Sequence, residues 1–271
     1  MSNFAADSDG LLGGGDGEQT TLPPPRPAVD SPQDPTRPDR RQQLEQRIRE
    51  RTIEVDLYLE LAAIHRAEDR PLEAKRVLHQ ALQLNEEDPR VLWHYEEAVL
   101  ARSLQQLREV SQLAARLNTP EVQRELERAR TDWANRRLDV CRARLARDPE
   151  KHHYRLVMAE AFADLGMHEQ ACESLTPCFA SDAHAPAARL LQGNCLSALA
   201  DDLGALAAYR AAALRRTVQV PPKIRVAAMR AASEIAQRLG LTLSQQRYQH
   251  ALEIAEAELA EGQAAQPASA S

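Results

Sequence analysis

The chain has 271 residues, 43% hydrophobic and 27% charged, with a formal net charge of -6 and aromatic residues at only 4%. So few aromatics, together with only 10 glycines, exclude a β-sandwich or barrel, whose strands need aromatic and β-branched residues and whose turns need glycine. Four irregularly spaced cysteines make no disulfide framework, and no apolar run approaches the ~18 residues of a membrane span.

Residues 1–40 read as a disordered tail. Seven of the 16 prolines and five of the 10 glycines fall within residues 1–43, where Leu11, Leu12 and Leu22 are the main apolar residues, too little to offset the entropy of ordering. No basic stretch followed by an apolar one marks a secretion signal, so a cytoplasmic address is expected. Pro24-Pro25-Arg26-Pro27 has the form of a polyproline II ligand, although such short runs serve far more often as linkers.

From Arg41 the texture turns helical. Leu44, Ile48, Val55, Tyr58, Leu61 and Ala62 recur three or four apart along one helical face, so 41–88 reads as an N-terminal helix and a first helical hairpin. Downstream punctuation falls at Asp69-Arg70-Pro71, Asp88-Pro89, Asn118-Thr119-Pro120, Asp148-Pro149, Gly166, Ala185-Pro186, Asp201-Asp202, Pro221-Pro222 and Gly240. Proline suits the first turn of a helix and not its interior, so these positions mark successive helix boundaries.

Residues 89–151 hold two long uninterrupted segments. Neither Pro89 to Leu117 nor Pro120 to Arg147 contains a further proline or glycine, and each is long enough for a helix of ~42 Å. Val122, Leu126, Ala129, Trp133, Val140 and Ala143 make a seam facing Leu100, Leu104, Leu107, Ala114 and Leu117, which predicts a long antiparallel hairpin. Two degenerate repeats breaking near Ser103 and Asp132 are the alternative.

Residues 152–219 show a period. Ala171, Leu175 and Cys178 recur 34 residues later as Ala205, Tyr209 and Ala212, and the same offsets appear as Ala74, Leu78 and Ala81. Each set is preceded by a pair in the helix before it: Leu61-Ala62, Met158-Ala159 and Gln192-Gly193. Small residues at these positions let antiparallel helices approach closely, with Tyr58, His65, Phe162 and Leu196 filling the space between neighbouring hairpins. Closing helices over 220–262 and a short tail over 263–271 complete the chain.

A 34-residue helix-turn-helix with small residues at its crossings resembles the tetratricopeptide repeat (TPR) family, most closely over 55–88, 152–185 and 186–219, and the whole chain resembles bacterial TPR proteins. The expected fold is therefore an all-α, tetratricopeptide-like solenoid of helical hairpins. The resemblance implies no activity. It does imply that the first helix of each repeat lines a binding groove. The outward residues there would be Leu59, Ala63 and Arg66, then His153, Leu156 and Glu160, then Leu190 and Asn194, with Asp56, Ala163, Ala187 and Ser197 at the margins. Relatives that clamp a carboxylate tail carry lysine and asparagine at these places. Only Asn194 matches, so a carboxylate clamp is not expected.

No nucleophile, phosphate loop or metal motif appears, so no enzyme activity and no cofactor is expected. His168 and Cys172 stand four apart, with Cys178, His184 and His152-His153 near them in sequence, but they lack the tight paired spacing of zinc ligands. Residues 120–147 carry eight arginines against five acids; acids are interleaved and Trp133 is the sole aromatic, which argues against nucleic-acid binding. The reading is a non-catalytic scaffold or adaptor for a protein or peptide. Its alternative is self-association through the long hairpin or the acidic last helix bearing Glu253, Glu256, Glu258 and Glu261.

Overall fold

The computed structural model describes residues 36–50, 54–86, 88–214 and 220–264. The expected tail, including the proline run at 24–27, lies outside them, as do residues 265–271. The chain divides into residues 1–43, of which the opening of the first helix is described, and residues 44–271, which hold everything below.

Among the described residues eleven α-helices run α1 (Thr36–Arg49), α2 (Val55–Ala67), α3 (Pro71–Leu84), α4 (Pro89–Leu117), α5 (Pro120–Arg147), α6 (His152–Asp164), α7 (His168–Leu175), α8 (Ala185–Ala198), α9 (Asp202–Ala213), α10 (Pro222–Arg238) and α11 (Thr242–Ala264). A 3-10 segment, Thr176–Ala180, extends α7, and there is no strand among the described residues. Proline opens α3, α4, α5 and α10, where its missing N–H leaves no hydrogen bond unmade. Asp88 and Thr119 cap α4 and α5, accepting from the amides of Arg90 and Val122.

The five hairpins pair α2 with α3, α4 with α5, α6 with α7, α8 with α9 and α10 with α11, and each turns on one residue of positive φ: Asp69, Asn118, Gly166, Ala200 and Gly240. A left-handed residue just past a helix end redirects the chain while its amide satisfies a terminal carbonyl. Consecutive helices pack in order throughout this run, and α2 also touches α4, α6 touches α8 and α8 touches α10. First helices thus neighbour one another across second helices at three of the four steps, α4 and α6 being the pair that does not touch, in the stacking of a tetratricopeptide-like solenoid.

The repeat crossings are buried as their spacing predicts. Ala62, Ala74, Leu78 and Ala81 share one apolar cluster with Tyr58, Val91 and Ala98. Ala159, Ala171, Leu175 and Cys178 share a second with Phe162 and Cys195. Ala205, Tyr209 and Ala212 share a third with Met229 and Ile235. At Gly193 the closest neighbour is the Tyr209 ring rather than Ala205: a Cβ there would stand 2.5 Å from ring carbon Cε1.

The continuous helical stripe read from Leu44 to Ala62 divides in two. α1 ends at Arg49 and α2 starts at Val55. In a straight helix Leu44 and Leu57 would lie ~20 Å apart. Folding back instead buries Leu44 with Leu57 and Leu61 in one cluster.

The long hairpin forms, with α4 and α5 unbroken at Ser103 and Asp132. It occupies a place in the stack, α4 packing on α3 and α5 on α6. Its seam differs from the one expected. Ala143 is exposed, and the buried positions of α5 are Leu126, Ala134, Arg137, Leu138, Val140, Cys141 and Arg144. The reason is that α6 covers the second half of α5, adding a second contact that an isolated two-helix seam lacks. Toward the tip, between Ala98 and Ala134, only Ala114 and Leu126 are buried, and Leu117 of the expected seam is 56% exposed.

Candidate partner-binding face

The groove residues expected from the sequence separate into two groups. On α2, Ala63 and Arg66 are exposed and Leu59 is half-buried against the first core cluster. On α6, His153 is exposed, while Leu156 rests on the second cluster and Glu160 is half-buried. On α8, Leu190 rests on the third cluster and exposed Asn194 accepts a hydrogen bond from the Tyr209 hydroxyl at 2.9 Å. Helices α6 and α8 touch, so their residues belong to adjoining helices; α2 touches neither and is divided from them by the α4–α5 hairpin.

That intervening helix carries residues which sequence reading missed. Counting 34 residues on from Asp56, Leu59, Ala63 and Arg66 gives Arg90, Trp93, Glu97 and Leu100 on α4. One cross-helix contact fits this register, Arg90 Nη1 donating to Asp56 Oδ1 at 3.0 Å, and Arg66 Nη1 also reaches α4, 3.5 Å from His94 Nδ1. The signal was the same period, hidden because the crossing residue of this unit is not small. Glu96 stands 34 residues after Ala62 and is 7% exposed.

Glu96 is held by two arginines of α5. Arg144 Nε donates to Glu96 Oε2 at 2.9 Å and its Nη2 to Glu97 Oε1 at 2.7 Å, while Arg147 Nη2 reaches Glu96 Oε1 at 2.5 Å. The Arg144 guanidinium also lies 5.7 Å from the Trp93 ring and 5.2 Å from that of Tyr154 on α6. Burial works against the charge of Arg144, but its hydrogen bonds to Glu96 and Glu97 outweigh burial and keep it more firmly protonated than usual. One buried cation therefore joins α4, α5 and α6. Trp93, on the outer side of this knot, remains 43% exposed.

A second arginine of α5 works alike toward α6. Arg137, 8% exposed, pairs with Asp164 and lies 4.0 Å from Glu160, both on α6, with its guanidinium 5.1 Å from the Trp133 ring. Burial pushes the Glu160 carboxyl above the usual carboxylate range; Arg137 opposes this and Asp164 adds to it.

The basic charge of the hairpin is largely engaged within the chain. Arg124, Arg128, Arg130 and Arg136 pair with Glu121, Glu125, Glu127 and Asp139 one turn away, and Arg142 lies over the Phe162 ring. On α11, Glu258 and Glu256 pair with Arg225 and Arg230 of α10. Near the first hairpin, Arg66, Asp69, Leu104, Arg108, Glu109 and Gln112 line an open cavity of 390 Å³. No three metal-ligating side chains gather among the described residues, and no described helix is long and apolar enough to cross a membrane.

No protein-family profile matches the chain, and no curated protein matches it. Among solved structures it is similar to the crystal structure of a thermophilic TPR protein of Thermus thermophilus, with 21% identity and a TM-score of 0.34, covering 66% of this chain and 98% of that one.

Proposed function

We propose that the chain is a non-catalytic scaffold or adaptor that takes a peptide or protein segment along the outward face of its first helices. The observation that carries this reading is Trp93, a large side chain 43% exposed on α4 and backed by Arg144 through a cation-π contact. Tryptophan and arginine dominate binding energy at interfaces because they bury much area at little added entropic cost when already held in place. Leu59 and Ala63 lie beside Trp93 on the adjoining α2, while His153, Leu156 and Glu160 adjoin Leu190 and Asn194 on α6 and α8, with Leu59, Leu156, Glu160 and Leu190 half-buried and Ala63, His153 and Asn194 exposed. That pattern suits an extended or helical peptide with apolar anchors.

The test is an affinity capture with the full chain, Trp93→Arg and Asn194→Arg, read by quantitative mass spectrometry. A partner retained by the full chain and lost from both variants supports the reading. Identical capture by all three sinks it.

A second reading, self-association, is favoured by Leu113 and Leu117, which are 45% and 56% exposed near the tip of the long hairpin. Light scattering with size-exclusion chromatography separates the two, since a monomer at micromolar concentration leaves no role for that tip in pairing.

A further inference from the structure

We propose that the outward face of α11 pairs with the same face of a second copy of this chain, the two helices running antiparallel about a twofold axis beside Ile254. Every earlier second helix packs on its own hairpin partner and also on the first helix of the next hairpin: α3 on α4, α5 on α6, α7 on α8 and α9 on α10. Among the described residues α11 packs on α10 alone. Tyr248, Ala251 and Leu252 lie against the third core cluster, and Ala255 is fully buried. On the opposite side Leu243, Arg247, His250, Ile254, Ala257 and Glu261 recur at alternating steps of four and three, and all are exposed, Leu243 at 75% and Ile254 at 48%. Such steps make a seam that a second helix can share. Half of these residues are polar, so charge selects the occupant.

Residues 242–252 hold Arg247 and His250 and no acid, whereas 253–261 hold Glu253, Glu256, Glu258 and Glu261 and no base. The helix macrodipole favours acids in the first turn and bases in the last, and α11 has neither. A second α11 laid antiparallel sets each basic half beside an acidic half and so answers this order. Contacts within the chain answer only part of it: Arg225 and Arg230 of α10 meet Glu258 and Glu256, and His250 Nδ1 lies 3.7 Å from Glu253. Arg247 and Glu261 have no ion pair among the described residues. Arg247 stands seven residues before Ile254 and Glu261 seven after it, so an axis at Ile254 brings Arg247 of each copy to the partner's Glu261, twice per dimer. Fourteen residues apart, the two lie ~21 Å from each other along one helix and cannot meet within a chain. One helix pair is a small interface, so the dimer is expected to form in the micromolar range. It uses neither the face around Trp93 nor the tip of the long hairpin, and its test is separate from theirs.

Analytical ultracentrifugation of the full chain across micromolar concentrations tests this, with circular dichroism confirming that each variant stays folded. The expected result is a monomer–dimer equilibrium that weakens as salt rises. Ile254→Lys, which sets two cations face to face across the axis, abolishes the dimer. Arg247→Glu or Glu261→Arg alone raises its Kd about tenfold or more, because each reversal acts at two places. The double variant Arg247→Glu, Glu261→Arg restores the dimer, a rescue that only a contact between chains can produce. Leu117→Lys, at the tip of the long hairpin, leaves it unchanged. A chain that stays monomeric throughout the range, a dimer that survives Ile254→Lys, single losses that the double variant does not rescue, or a dimer lost through Leu117→Lys would each overturn the proposal.

Discussion

Arg144 meets Glu96 at 2.9 Å inside the long hairpin, at the repeat position where the first hairpin has Ala62. Both side chains are only 9% exposed, so their charges are mutually required. Removing Arg144 leaves Glu96 only Arg147, and removing Glu96 leaves Arg144 only Glu97, so each single loss costs up to about 3–5 kcal/mol, whereas replacing both by apolar residues of similar size is nearer neutral. Arg144→Met and Glu96→Leu are therefore each expected to destabilise the protein by up to that order. The Arg144→Met, Glu96→Leu double variant is expected to lose less than the sum of the singles. Urea unfolding of the four proteins of this cycle measures the coupling, and strict additivity would show that the pair does not act as a unit.

Gly193 and Tyr209 make a close crossing of α8 and α9. A methyl group at Gly193 would stand 2.5 and 2.6 Å from two ring carbons of Tyr209, whose hydroxyl is tied to Asn194. Alanine favours a helix interior by about 1 kcal/mol over glycine. Overpacking costs about 1–3 kcal/mol and is expected to win here. Gly193→Ala thus lowers Tm in wild type and raises it in a Tyr209→Leu background, where the ring is gone. Differential scanning calorimetry of the two pairs reads the change of sign.

The five turns show what the sequence could and could not convey. Gly166 and Gly240 are legible as breakers because glycine adopts positive φ freely, and Asp69 and Asn118, with φ of 54° and 43°, because proline follows two residues on, whereas Ala200 does the same work at φ 61° with no such mark. Proline at α3, α4, α5 and α10 marked helix starts reliably, since its lost N–H is tolerated only there. The 34-residue period was legible wherever crossings are small. It vanished at the long hairpin because helices of 29 and 28 residues do not fit a 34-residue unit, and because Glu96, paired with Arg144, stands where the first hairpin has Ala62 and looks like surface in one dimension. For the same reason Trp93, 34 residues beyond Leu59, went unseen as part of the candidate face. The Ala143 seam position failed because a two-helix seam knows nothing of α6.

Ala200 holds a left-handed conformation with a Cβ that glycine would lack. That conformation costs an L-residue about 1 kcal/mol. Ala200→Gly relieves it at an exposed turn and is expected to stabilise by several tenths to about 1 kcal/mol, after the greater chain entropy of glycine is offset. Ala200→Val is expected to do the opposite by more. Chemical unfolding midpoints at constant m-value measure both.

Acid should loosen the first hairpin before the others. His65 is 5% exposed, and its Nδ1 has no hydrogen-bond partner. Burial first, and then Arg70, lower its pKa below 6.5, with Glu68, Glu45 and Glu73 opposing. His94, where the same first helix meets α4, is lowered by burial and Arg66, with Glu97 opposing. Both groups stay neutral in the folded state while the unfolded chain takes up protons below 6.5. The unfolded state then binds more protons, so stability falls as pH drops from 6.5 toward the folded values and levels off beneath them. His65→Gln, which cannot charge, should remove part of that slope, and His65→Gln with His94→Gln should remove more. Glu160 contributes with the opposite sign, because its raised folded pKa favours the folded state as pH falls, so the histidine slope is read most cleanly above the range in which carboxylates titrate. Hydrogen exchange at about pH 7 and about pH 5.5, on either side of the ordinary histidine range, localises the effect. Protection lost across α2, α3 and the start of α4, with α8 to α10 retained, is the expected pattern, and uniform loss across all helices would remove these two histidines as its cause.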